Sequence, residues 1–203
     1  MRSTVSSATV SRSFTEQARR AQIVGAAIET IASVGLGRAS YARIANTAGI
    51  SSTSLISYHF ENRKDLIAEV VASVYGNLGQ YVGGRVGSAI TPTERIREYI
   101  GANIDYAKDH PHPMRAVLSV FLSGGMGAPP VDAVNPLTFL ERMLFEGQSS
   151  GEFRSFDVHV MAVAIQRSIE GAMLALSDLS APVPDLELFS EQLKTTFSIA
   201  IRR

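Results

Sequence analysis

Apolar positions recur along this chain with the spacing of helices. Val24, Ala27, Ile28 and Ile31 stand at i, i+3, i+4 and i+7, which draws a single stripe down one helical face. Ser13 with Glu16 three residues later has the form of a capping box at the start of that helix, and Gly35 and Gly37 have the form of its stop. A short helix is predicted behind Ser40, carrying Tyr41, Ile44 and Ala45 and closed by Gly49, and another over residues 52–58. Leu66, Val70, Val74, Leu78 and Tyr81 are in register for a long helix starting near Asn62. The glycine-rich "YVGGRVGSAITP" (81–92) then reads as a joint. Beyond it the pattern predicts helices over 93–107, 113–122 and 137–145, with "DHPHP" as a break and 123–130 as a loop. Two long amphipathic helices close the chain, over 157–177 and 185–201. No stretch alternates with period two between hairpin turns, so the expected fold is all-α.

One segment does not fit the core-forming pattern. "AGISSTSLISYHFENRKDL" (48–66) sets Ser51, Ser52, Thr53, Ser54 and Ser57 between two helical stretches. Gly49, with Ala45 four residues before it and Leu55 six after, gives helix-turn-helix spacing. A small residue is needed where two helices cross, and glycine adopts the positive φ of a tight turn. Ile44, Ile50, Leu55 and Tyr58 are then the apolar residues expected to pack the pair onto the first helix, leaving Ser52, Thr53, Ser54 and Ser57 outside. Short hydroxyls suit a helix in a DNA major groove, where they meet phosphates and base edges without bulk. The same composition also suits a plain solvated loop.

Charge shifts this balance slightly. The chain has 203 residues with 19 Lys+Arg and 19 Asp+Glu, so it is no polycation. Residues 1–80 hold eight basic against five acidic side chains, and the remainder eleven against fourteen. A mildly basic front on an acidic body suggests an anionic partner for the front. The absence of cysteine excludes disulfides, thiolate catalysis and Cys-based zinc sites. Residues 1–12 are Ser/Thr-rich and read as a flexible tail, not a secretory leader, and no apolar run is long enough to span a membrane. A cytoplasmic location is expected. Gly147-Gln148-Ser149-Ser150-Gly151 fits G-x-S-x-G, the one foothold for a serine hydrolase. That motif needs a strand before the serine, and here a helix precedes it. Asp109, His110 and His112 around two prolines make a poor metal-ligand set. Neither an enzyme nor a metal or other cofactor is expected.

Residues 19–66, "RRAQIVGAAIETIASVGLGRASYARIANTAGISSTSLISYHFENRKDL", resemble the DNA-binding domain of the tetracycline-repressor (TetR) family of transcription regulators. The resemblance implies about nine helices. It divides the chain into a helix-turn-helix domain (13–61), a connecting helix four (62–82) and a ligand-binding and dimerisation domain (83–203). It further implies a homodimer formed largely by the last two helices, most often a repressor, that binds palindromic double-stranded operator DNA and is released by a small-molecule effector. Ser40 would cap helix two and contact phosphate, with Arg43 beside it. Ser52, Thr53, Ser54 and Ser57 would face the groove from the recognition helix, and Tyr58 and His59 would sit at its far end. Arg63 and Lys64 would start helix four, where cations oppose the helix dipole and so point to phosphate. The effector pocket would draw on Tyr99, Asn103, Tyr106, Met114, Phe121, Met126, Phe139 and Met143, a largely apolar set with a few hydrogen-bonding groups. The chain departs from the pattern in one respect: Phe60 lies one residue further from Gly49 than the family's commonest spacing. That keeps open a second expectation, a helical interaction module of the same fold that does not bind DNA.

Overall fold

The computed structural model describes residues 7–124, 135–175 and 185–203, with side chains from Thr15 onward except that of Ala175. Helix α1 spans Ser7–Val34. It is already under way at Ser13, so that serine is not its cap, and the tail expected over 1–12 is helical from Ser7. Nothing in "SATVSR" breaks a helix, since glycine and proline are both absent from it. Gly35 ends α1 with φ +80°, and a 3-10 turn (Leu36–Arg38) leads to α2 (Tyr41–Thr47). Ser40 caps α2, its hydroxyl accepting from the Arg43 N–H at 3.4 Å. Gly49 turns the chain with φ +65° into α3 (Ser54–His59).

Helix α4 (Arg63–Ser88) starts behind Asn62, whose side chain accepts from the Asp65 N–H at 3.0 Å. It does not stop at the glycine-rich segment, and the joint expected at 81–92 is helical as far as Ser88. Leu78, Val82 and Val86 continue its buried stripe, while Gly83, Gly84 and Gly87 lie on the exposed side. A helical glycine costs about 1 kcal/mol relative to alanine, whereas each buried aliphatic side chain contributes about 1.5–3 kcal/mol. Packing therefore outweighs propensity.

Helix α5 (Pro92–Asp109) opens on a full capping box between Thr91 and Glu94. His110 joins it to α6 (Pro111–Leu122), and α7 (Pro136–Ser149), α8 (Val158–Ala175) and α9 (Leu186–Ile201) complete the described helices. Among the described residues there are two cores. The front one gathers Ile23, Ala27 and Ile31 of α1, Ile44 of α2, Ile56 of α3, Phe60, and Leu66 and Val70 of α4. The rear one gathers Ile96, Ile100 and Ile104 of α5 with Leu140, Leu144, Ile165, Ile169, Phe197 and Ile201. Helix α4 serves both, and α6 sends Ala116 and Val120 into the front one.

The G-x-S-x-G sequence is the end of α7. A Cβ on Gly147 would lie 2.1 Å from the Phe153 ring, and Gly151 has φ +78°. Both glycines are explained by the turn they build, and a helix, not a strand, leads into Ser149. Among the described residues the sole β pairing is one bridge, Phe153 with Arg202. No described helix is long and apolar enough to cross a membrane.

Candidate nucleic-acid interface and the adjoining cavity

The hydroxyl segment faces outward. Ser51, Ser52, Thr53, Ser54 and Ser57 are exposed, while Ile56 and Phe60, four residues apart, are buried. This corrects the expected packing. Helix α3 begins at Ser54 rather than at Ser52, which turns Ile56 inward, leaves Leu55 partly buried and puts Tyr58 74% exposed to solvent. Ser52 accepts from the Ser54 N–H at 3.1 Å, and its hydroxyl lies 2.6 Å from that of Ser54. It thereby closes a local serine turn just ahead of α3, whose N-cap position, Thr53, makes no side-chain capping bond. Thr53 and Ser57 carry hydroxyls without a side-chain hydrogen bond to any described residue.

Around this face, Ser40, Arg43 and Lys64 are exposed, and neither cation has an ion pair among the described residues. Arg63 is different. Its guanidinium donates to the Ala39 carbonyl at 2.7 Å and the Leu36 carbonyl at 2.6 Å, so it ties the start of α4 to the segment ahead of α2 instead of standing free for phosphate. Ser40, Tyr41, Ser57, Glu61, Asn62 and Arg63 border a cleft of about 390 Å³. The Tyr41 hydroxyl is buried beside it without a hydrogen-bond partner.

His59 is partly buried, with its ring edge-on to Tyr58 at 5.1 Å. Its carbonyl accepts from Arg20 Nη1 at 2.6 Å. Arg20 also reaches Glu69 at 3.0 Å and lies 4.3 Å above the Phe60 ring. It clamps the end of α3 between α1 and α4. Gln22 similarly donates to the Ala48 carbonyl at 2.7 Å, next to the turn. Sequence reasoning missed both, because their targets are carbonyls that no sequence pattern marks.

A cavity of about 370 Å³ opens among α4, α5, α6, α8 and the start of α9. Of the expected pocket residues, Asn103, Met114 and Phe121 line it. Tyr99, Tyr106, Phe139 and Met143 do not. The Tyr99 ring is buried against Phe139, Tyr106 lies between Tyr81 and His110, and Met143 belongs to the rear core. On α5 the Tyr99 and Tyr106 side chains point into packing, and Asn103 between them reaches the cavity. Met126 lies outside the described residues.

The structure adds lining residues that the periodicity hid, among them Tyr75, Lys108, Arg115, Gln166 and Glu170. The Tyr99 hydroxyl donates to Gln166 Oε1 at 2.8 Å, and Gln166 donates to Glu170 at 3.1 Å. Arg167 holds the other Glu170 oxygen. Burial pushes the Tyr99 phenol well above its ordinary range, with the Glu170 charge adding to it, and Tyr75 is raised for the same two reasons. Both phenols are therefore neutral donors over the physiological range. Of the three residues of the Asp109, His110 and His112 set, His112 lies 2.7 Å from Glu29, and the His110 ring packs at a tilt against Tyr106. Met114, Val117 and Phe121 of α6 face the cavity, and Ala116 and Val120 of the same helix pack on α1. Ser119 accepts from the Leu36 N–H at 2.9 Å.

No family model matches the chain. It is 35% identical over 112 residues to the HTH-type transcriptional regulator BetI 1 of Chromohalobacter salexigens, a match covering 55% of this chain and 54% of that protein. BetI of Escherichia coli O139:H28 is 31% identical over 110 residues, 54% of its length. The chain thus spans about half the length of the curated relatives it matches. In three dimensions it resembles a Rhodococcus sp. protein assigned to the TetR family, with a TM-score of 0.75, 20% identity and coverage of 89% of this chain and 97% of that one. It also resembles the regulator FadR of Bacillus subtilis solved with stearoyl-CoA, with a TM-score of 0.69, 19% identity and coverage of 89% and 98%.

Proposed function

We propose that this chain, which has the fold of the TetR-family regulators and resembles BetI regulators over its front half, is itself a transcription regulator. It binds operator DNA as a homodimer in the cytoplasm, as a repressor, and lets go when a small molecule fills the cavity. The observation that carries this reading is the exposed hydroxyl face of α3, anchored from behind by Ile56 and Phe60. A helix so held can enter a major groove without losing its own packing. Thr53, Ser54, Ser57 and Tyr58 would read the groove, with Ser40, Arg43 and Lys64 on phosphates. Ser52 and Arg63 hold the scaffold, and His59 joins them through its carbonyl.

Dimerisation is supported by a stripe on α8. Val160, Ala164, Arg167, Gly171 and Leu174 recur at i, i+4, i+7, i+11 and i+14, and all are exposed. Leu188 and Ile199 add exposed apolar positions on α9, eleven residues and three turns apart. Release is supported by α6, one side of which lines the cavity while the other packs on α1. An effector that prefers one setting of α6 by about 1–3 kcal/mol would bias the separation of the two heads.

The test begins by selecting duplexes from a random library with the full-length protein. The selected sequence should be a palindrome with half-sites about one helical turn apart, or slightly more. Its affinity should fall steeply with salt, and Lys64→Ala should flatten that slope by about one unit per protomer contact. A selection that enriches no sequence would leave the chain a helical interaction module and overturn the reading.

A further inference from the structure

We propose that the effector is an anionic amphipath, an apolar chain ending in a carboxylate, whose head group is bound by Arg115. The proposal rests on the regulator reading for the word effector, but the site itself stands on the cavity. Leu78, Met114, Val117, Leu118, Phe121 and Met173 make most of one wall apolar. Four charged side chains border it: Lys108, Arg115, Arg167 and Glu170. Glu170 already has Arg167 and Gln166 on its two oxygens, so it does not call for a cationic guest. Lys108 has its own explanation. It lies in the last turn of α5, where a cation complements the helix dipole, and faces Glu187 at 3.9 Å.

Arg115 has neither. It is partly buried in the second turn of α6 and makes no hydrogen bond or ion pair with a described residue. Holding a guanidinium in a largely apolar wall without a counter-charge is unfavourable, and a carboxylate would relieve it through two parallel hydrogen bonds. The cavity volume is that of a small-molecule site, with room for a chain beyond the head group.

The experiment is a calorimetric titration of the full-length protein, without DNA, using octanoate, octanol and octyltrimethylammonium below their micelle concentrations. Octanoate should bind at least about tenfold more tightly than either analogue. Arg115→Gln should erase that margin while leaving octanol binding unchanged, and Arg115→Lys should keep most of it. Equal or tighter binding of the alcohol or the ammonium compound would overturn the proposal, as would a margin that survives Arg115→Gln. Because no DNA is present, failure here leaves the operator-binding reading untouched. Failure to select a duplex, conversely, leaves the anion site standing.

Discussion

At Gly49 the backbone sits at φ +65°, and a Cβ added there would meet nothing within 4 Å. Space is therefore no obstacle to a side chain, but conformation is. Gly49→Ala should cost about 1–2 kcal/mol through the left-handed backbone alone, measured by chemical denaturation. An unchanged stability would mean that the turn relaxes, and the head would then lose its fixed geometry. This glycine was legible in the sequence from its distance to Ala45 and Leu55. Tyr58 was not. Its aromatic character suggested core, and the two-residue delay in the start of α3 put it on the opposite side from Ile56. Where so short a helix starts depends on local turns, and here the Ser52 hydroxyl turns back onto the Ser54 N–H from within a run of hydroxyls that sequence does not tell apart.

Among the elements, α3 is too short to be stable alone and depends on what grips it. Arg20 supplies a charge-assisted bond to the His59 carbonyl and a contact over Phe60. Arg20→Met keeps the stem but removes the donor. It should cost about 1.5–3 kcal/mol of stability and weaken DNA binding at least tenfold, read by a melting curve and a duplex titration. DNA affinity equal to wild type would show that α3 holds its position without the clamp. The long helices α5, α8 and α9 were legible because their apolar stripes repeat over several turns. The extent of α4 was not, since its exposed glycines carry a turn signal that only the burial of Val82 and Val86 on the other side outweighs. The pocket was legible in part for a similar reason: periodicity marks which face of α5 is inward but not whether a cavity or a neighbouring ring waits there.

For the molecule as a whole, two expectations follow. If the exposed stripe of α8 and the Leu188–Ile199 side of α9 join two copies, Ile199→Glu should give a monomer by sedimentation, with operator affinity falling by well over tenfold. A dimer that persists would move the interface elsewhere. The second concerns pH. The buried phenols of Tyr99 and Tyr75 have raised pKa values, so the folded state holds their protons more tightly than the unfolded chain does. Their contribution is therefore fully present below about pH 10, the ordinary tyrosine value, and is lost as pH rises beyond it. Melting temperature should hold steady up to about that pH and then fall, less steeply in Tyr99→Phe. A fall already complete below it would contradict the burial.

The most direct measurement is the affinity of the purified protein for its selected duplex as a function of salt, with a scrambled duplex of equal length alongside. The account predicts a steep linear fall of log K with log salt for both and a large, salt-insensitive preference for the selected sequence. That preference should shrink when Thr53, Ser54 and Ser57 are together replaced by alanine. A flat salt dependence, or a preference unchanged by the triple substitution, would contradict it.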